Sequence, residues 1–158
     1  MKKWICALLA LCLCAAFALA EDAGEATFKL SFEEGFSLSL PEGWVSYPVG
    51  EADAVRGLRY ALGDGRGERY LYVQSQKSDV ADFEALREGI DARGDCSKTD
   101  VLNLNGQPFA SFVVPSLNAS GCATLLNGEQ LTFLFTPQSD SAYMLTIAKI
   151  MAGFRLEG

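Results

Sequence analysis

The chain has 158 residues, with 13 Lys and Arg against 20 Asp and Glu, a net charge of −7 and no histidine. That balance disfavours nucleic acid and anionic membrane surfaces, which are held by clustered cations. The missing histidine excludes His-based triads, His general bases and most zinc sites.

In chain order, Lys2 and Lys3 precede an uncharged run from Trp4 to Ala20, which ends Phe17-Ala18-Leu19-Ala20 before Glu21-Asp22. A positive start, an apolar stretch and small residues at −3 and −1 of a cut after Ala20 predict a secretory signal peptide over residues 1–20. As a membrane anchor the run falls slightly short of the roughly 20 apolar residues of a span. Cys6, Cys12 and Cys14 follow Ile5, Leu11 and Leu13, which makes them poor lipidation sites and ordinary small hydrophobes of the signal. Its removal leaves 138 of 158 residues with 11 basic against 20 acidic, a net −9. That is enough for one domain with a proper core, exported to the periplasm, the cell envelope or the medium.

Residues 21–26 read as a loose leader and 27–158 as a single domain. Phe28 to Phe32 and Phe36 to Leu40 alternate apolar and polar around Glu33-Glu34-Gly35, the pattern of a β-hairpin. Pro41 to Trp44 ends it, and a loop is expected to near Arg56. A second hairpin pairs Gly57–Leu62 with Glu68–Gln76 across the glycines of 63–67. Ser78-Asp79 then predict the cap of a helix with Val80, Phe83, Leu86 and Ile90 on its apolar face, ending at Arg93 and Gly94. Thr99–Leu104 meets Gln107–Val114 across Asn105-Gly106, and Ala119–Leu126 meets Glu129–Thr136 across Asn127-Gly128. Both are strong hairpin signals. Ser139-Asp140 open a closing helix bearing Tyr143, Ile147, Ile150 and Phe154, with Met144 and Met151 widening the stripe and Gly153 ending it. The succession predicts an α+β fold, an antiparallel β-sheet with helices packed on its faces.

Two cysteines, Cys96 and Cys122, remain beyond the signal. An even count in an exported chain favours a disulfide. The tight turns at 105–106 and 127–128, however, put one strand between them, roughly 10 Å at the inter-strand spacing. A bridge needs Cα atoms within about 7 Å. The register therefore argues against a bridge unless a bend before Thr99 brings them together.

Phe36-Ser37-Leu38-Ser39-Leu40-Pro41-Glu42-Gly43-Trp44 is similar to the opening of PsbP-like domains, a strand followed by Leu-Pro-x-Gly-Trp. Leu104-Asn105-Gly106-Gln107-Pro108-Phe109 resembles their central hairpin, and Ile147, Ile150 and Phe154 resemble their closing helix. That family more often has Ser where this chain has Gly153. The resemblance spans about residues 27–156. It implies a three-layer sandwich with helices against both faces of a sheet, and a role as a binding or assembly subunit, as in a photosystem extrinsic protein and a Ran-binding regulator. No functional residue of the family maps onto this sequence.

Gly63 to Glu68 could suggest a phosphate or calcium loop. It lacks the Lys-Ser or Lys-Thr and following helix of the first, and the alternating oxygen ligands of the second, so it reads as a hairpin turn. Glu33/Glu34 and Asp91/Asp95 pair carboxylates on a turn and near a helix end, where solvated surface is the simpler reading. Lys77-Ser78 and Ser97-Lys98 lack the Ser-x-x-Lys spacing of a lysine-activated serine. Asn118-Ala119-Ser120 matches a glycosylation acceptor. No catalytic group, metal site or cofactor is expected.

The aromatics Trp44, Tyr47, Tyr70 and Tyr72 are the candidate binding residues. In the strand Glu68–Gln76, Tyr70 and Tyr72 share one face while Leu71 and Val73 share the other. This suits either a strand covered on both sides or an aromatic platform for sugar or peptide. The leading expectation is an exported non-enzymatic binding or assembly domain, meeting another protein or an envelope component through a sheet edge or the long loop. A small-ligand binder for carbohydrate or peptide comes second, and a carboxylate-based hydrolase last.

Overall fold

The computed structural model describes residues 27–157. The expected signal peptide and leader lie outside them. The chain groups into two compact units, one formed by residues up to Glu42 together with those from Asp140, the other by Gly43–Ser139.

In the first unit, β1 (Thr27–Phe32) and β2 (Phe36–Pro41) form the expected hairpin, joined by β10 (Arg155–Leu156) into a separate three-stranded antiparallel sheet. The closing helix α3 (Ser141–Ala152) packs on β2. Asp140 caps it, its carboxylate accepting from the backbone N–H groups of Ala142 and Tyr143 at 2.9 and 3.0 Å. Phe154 lies just past the helix rather than on it. It is fully buried, its ring stacked at 5.7 Å on Phe36, which stacks in turn on Phe32 at 4.5 Å. Gly153 has an ordinary φ of −78°, so it is required by space and not by backbone freedom. A Cβ there would stand 2.7 Å from the Ser39 Cβ and 3.0 Å from its backbone nitrogen. Gly153→Ala is expected to cost about 1 kcal/mol of stability. A thermal melt indistinguishable from the parent's would show that helix and strand are looser than this.

The second unit is a seven-stranded antiparallel sheet in the order β3-β4-β5-β9-β8-β7-β6. Its strands are β3 (Val45–Tyr47), β4 (Leu58–Gly63), β5 (Tyr70–Lys77), β6 (Asp100–Leu104), β7 (Gln107–Val114), β8 (Ala119–Leu126) and β9 (Glu129–Thr136). The two Asn-Gly turns have φ of +54° and +88° at 105–106 and +53° and +79° at 127–128, the left-handed pair that suits the twist of a two-residue hairpin. The expected loop to Arg56 instead holds β3 and a short helix α1 (Glu51–Val55) that buries none of its residues.

The middle helix α2 (Phe83–Asp91) starts later than its sequence suggests. Asp82 is its cap, accepting from the Ala85 N–H at 2.9 Å. Ser78 is held extended by its N–H bond to the Gly128 carbonyl at 3.1 Å, and Val80 is left 37% exposed. The helix closes at Ala92, two residues before Gly94. Leu86 and Ile90 cover one face of β7 and β8, packing on Ala110, Phe112, Val114 and Ala123.

Both cysteines are free thiols. Cys96 packs into the α2 cluster with Phe112 and Ala123. Cys122 alternates with Gly121 and Ala123 along β8 and so faces the other side of the sheet. The sheet itself separates them. Burial pushes the Cys122 thiol up to about 12, leaving a thiolate fraction near one in ten thousand at pH 8. Iodoacetamide should therefore modify Cys96 in the native protein and Cys122 only on unfolding. Equal native rates by mass spectrometry would contradict this placement.

Candidate functional site

The α2 helix covers only part of the outer face of the seven-stranded sheet. Register carries that face on from Phe112 and Gly121 through Leu134 of β9 to Tyr72 of β5 and Ala61 of β4. Because side chains alternate, β5 presents Tyr70, Tyr72, Gln74 and Gln76 outward, while Leu71, Val73 and Ser75 are buried on the inner side. β9 adds Gln130, Thr132 and Leu134 to the outer face, and Tyr47 of β3 stands opposite Ala61.

Three of the four aromatic candidates thus meet. The Tyr47 and Tyr70 rings lie 5.8 Å apart and tilted, and those of Tyr70 and Tyr72 lie 6.0 Å apart and nearly parallel. Small residues on β4 make room for them. A Cβ at Gly63 would come within 2.9 Å of the Tyr47 ring and 3.2 Å of that of Tyr70. The Tyr70 hydroxyl donates to the Gly67 carbonyl at 3.1 Å. Burial, with Tyr70 and Tyr47 beside it, holds the Tyr72 phenol above its ordinary range, so it stays a neutral donor and acceptor. Trp44 is not among them, being only 8% exposed.

Beside this row, Gln74, Gln76, Gln130 and Thr132 floor a groove of about 250 Å³. Ile90 of α2 and Arg93 just beyond it wall the groove together with Phe112, Val114 and Leu134, and the exposed Leu117 of the 3₁₀ turn Pro115–Leu117 stands at its rim. The floor is pre-ordered. Gln130 donates to the Thr132 hydroxyl at 3.2 Å, and the Gln76 amide bonds the Arg56 carbonyl. Arg93 is the groove's charged residue, and its fork is closed on Asp95 at 2.9 and 2.7 Å. That pairing holds the Asp95 carboxyl down to about 2 and leaves the groove close to neutral. Sequence reasoning missed the glutamines, since nothing marks a glutamine in a strand until the strand order sets three side by side.

The other motifs are occupied. The Asp64 carboxylate accepts from the N–H groups of Arg66, Gly67 and Glu68 at 2.9–3.3 Å. Burial is the largest single influence and pushes the carboxyl up, but the backbone N–H bonds together outweigh it and hold Asp64 below its usual value. It is the pivot of a turn. The Asn118 side chain bonds Ser139 twice at 3.0 Å, and Ser120 is buried, so the acceptor tripeptide serves structure.

No family model and no curated protein matches the chain. Among solved structures it is similar to cyanobacterial PsbP (CyanoP) from Synechocystis sp. PCC 6803. The identity is 15% over 85% of this chain and 95% of that one, with a TM-score of 0.59. The fold is PsbP-like. A Bacteroides thetaiotaomicron protein is similar at 13% identity and a TM-score of 0.50, with 85% of this chain spanning about half, 49%, of its length. At these identities the PsbP-like likeness carries architecture and no residue roles.

Proposed function

We propose that this chain is an exported, non-enzymatic binding domain that holds its partner on the outer face of β5 and β9, in the cell envelope or outside the cell. The observation that carries the reading is the part of this sheet face, on β5 and β9, that lies beyond the α2 cluster and gathers tyrosines and glutamines. These side chains supply contact area and hydrogen bonds without charge, and they include no nucleophile paired to a base. The reading leaves out Trp44, which is buried, and prefers the tyrosine and glutamine face to the exposed loop segment that forms β3 and α1.

Site-specific photocrosslinking in the producing cells tests it. A photoreactive residue at Gln74 should yield a discrete adduct, whereas one at Glu88, on the exposed side of α2, should not. Adducts from position 88 alone would reject the face proposed.

A further inference from the structure

Resting on that reading, we propose that the ligand is a neutral, hydroxyl-rich molecule, an oligosaccharide, seated with one ring in the Gln74–Gln130–Thr132 groove and continuing along the tyrosine row. Four observations narrow the chemistry. First, the groove sets amides and a hydroxyl beside apolar side chains, those of Ile90, Phe112, Val114 and Leu134. Beyond the N–H that Gln76 gives Arg56 and that Gln130 gives Thr132, each glutamine amide has a second N–H and a carbonyl oxygen side by side, which matches a sugar hydroxyl that must both donate and accept. A lipid or apolar peptide would strip water from these amides without replacing its hydrogen bonds. Second, the groove's guanidinium is paired with Asp95 at 2.7 Å, which offsets its charge, and the chain's net charge of −7 opposes an acidic ligand.

Third, β5 is paired along both edges, with β4 and with β9. Its backbone groups are used in the ladder, so an extended peptide could not add to it as a strand. Fourth, the dimensions suit a chain of small rings. At about 250 Å³ the groove is smaller than the roughly 300–1,000 Å³ of pockets that enclose a whole drug-sized ligand. From the groove, Gln74, Tyr72 and Tyr70 repeat at about 7 Å along β5, so the remainder of a ligand would lie along the tyrosines. Aromatic surface beside hydrogen-bonding groups is what a sugar ring needs, its C–H faces being apolar and its rim polar.

The full chain, after whatever processing its own cell performs, would be titrated by calorimetry with cello-, malto-, xylo- and chito-oligosaccharides, and with oligogalacturonate as an acidic control. The expected result is saturable binding of at least one neutral series, improving with length, and none of the acidic one. Gln74→Ala and Gln130→Ala should each weaken it about tenfold, the loss of roughly one good hydrogen bond. Glu88→Ala should leave it unchanged, and Tyr72→Phe should keep the fold while losing the hydroxyl's share. No affinity for any neutral series would overturn the oligosaccharide, as would affinity insensitive to Gln74 and Gln130. If a protein adduct still formed at position 74, the binding-domain reading would survive that failure. If neither adduct nor affinity were found, both would fall.

Discussion

Phe112→Ala is expected to lower the free energy of unfolding by about 3–5 kcal/mol, the range for removing a buried aromatic ring. The ring is 4% exposed, lies opposite Gly121 on β8, and is gripped by Leu86 and Ile90 of α2. The site cannot close over the loss, because Gly121 has no side chain to move in and α2 is tethered by its Asp82 cap. The cavity should persist, and persistence sets the cost near the top of the range. Urea unfolding would show a lower midpoint at an unchanged slope. A loss below about 1 kcal/mol would mean that α2 is not packed on this ring.

The reverse change on the same contact is the second large effect. A Cβ at Gly121 would stand 2.4 Å from one Phe112 ring carbon and 2.5 Å from the next. Gly121→Val should therefore destabilise by about 3 kcal/mol, at the upper end of overpacking costs. The ring it strikes is packed on the helix through Leu86 and Ile90. Combining Gly121→Ala with Phe112→Leu should recover much of the sum of the single losses, since the smaller side chain yields the space the methyl needs. Strictly additive losses in that cycle would show that the two positions do not touch.

Both predictions depend on strand register, and register was largely legible in the sequence. Asn105-Gly106 and Asn127-Gly128 announce turns that need positive φ at both positions, and these turns fix which residues of β6 to β9 stand opposite one another. The same register separated Cys96 from Cys122, although the sheet, which puts them on opposite faces, is the stronger barrier. Alternation in β5 also foretold that Tyr70 and Tyr72 would share a face.

What the sequence withheld is tertiary. β3 is three residues long, too short for a period, and exists because β4 offers an edge. α2 is capped at Asp82 and not at Ser78 because Ser78, a good cap in isolation, is tied to Gly128, fifty residues away in sequence. Trp44 looked available after a Pro-Glu-Gly turn and is buried. The groove was hidden for the same kind of reason. Gln74 and Gln76 belong to β5 and Gln130 to β9, and only the sheet order that lays β9 against β5 turns three unremarkable residues into one floor.

Hydroxyl-radical footprinting of the protein, once purified and once in the intact envelope, tests most directly that the outer face of β5 and β9 is where a partner sits. Tyr47, Tyr70 and Tyr72 should be oxidised in the purified protein and protected in the envelope, while the fully buried Tyr143 resists oxidation in both and the exposed Val55 is modified in both. Equal oxidation of the three tyrosines in the two states, or protection confined to the β6 edge at Val101, would contradict the account.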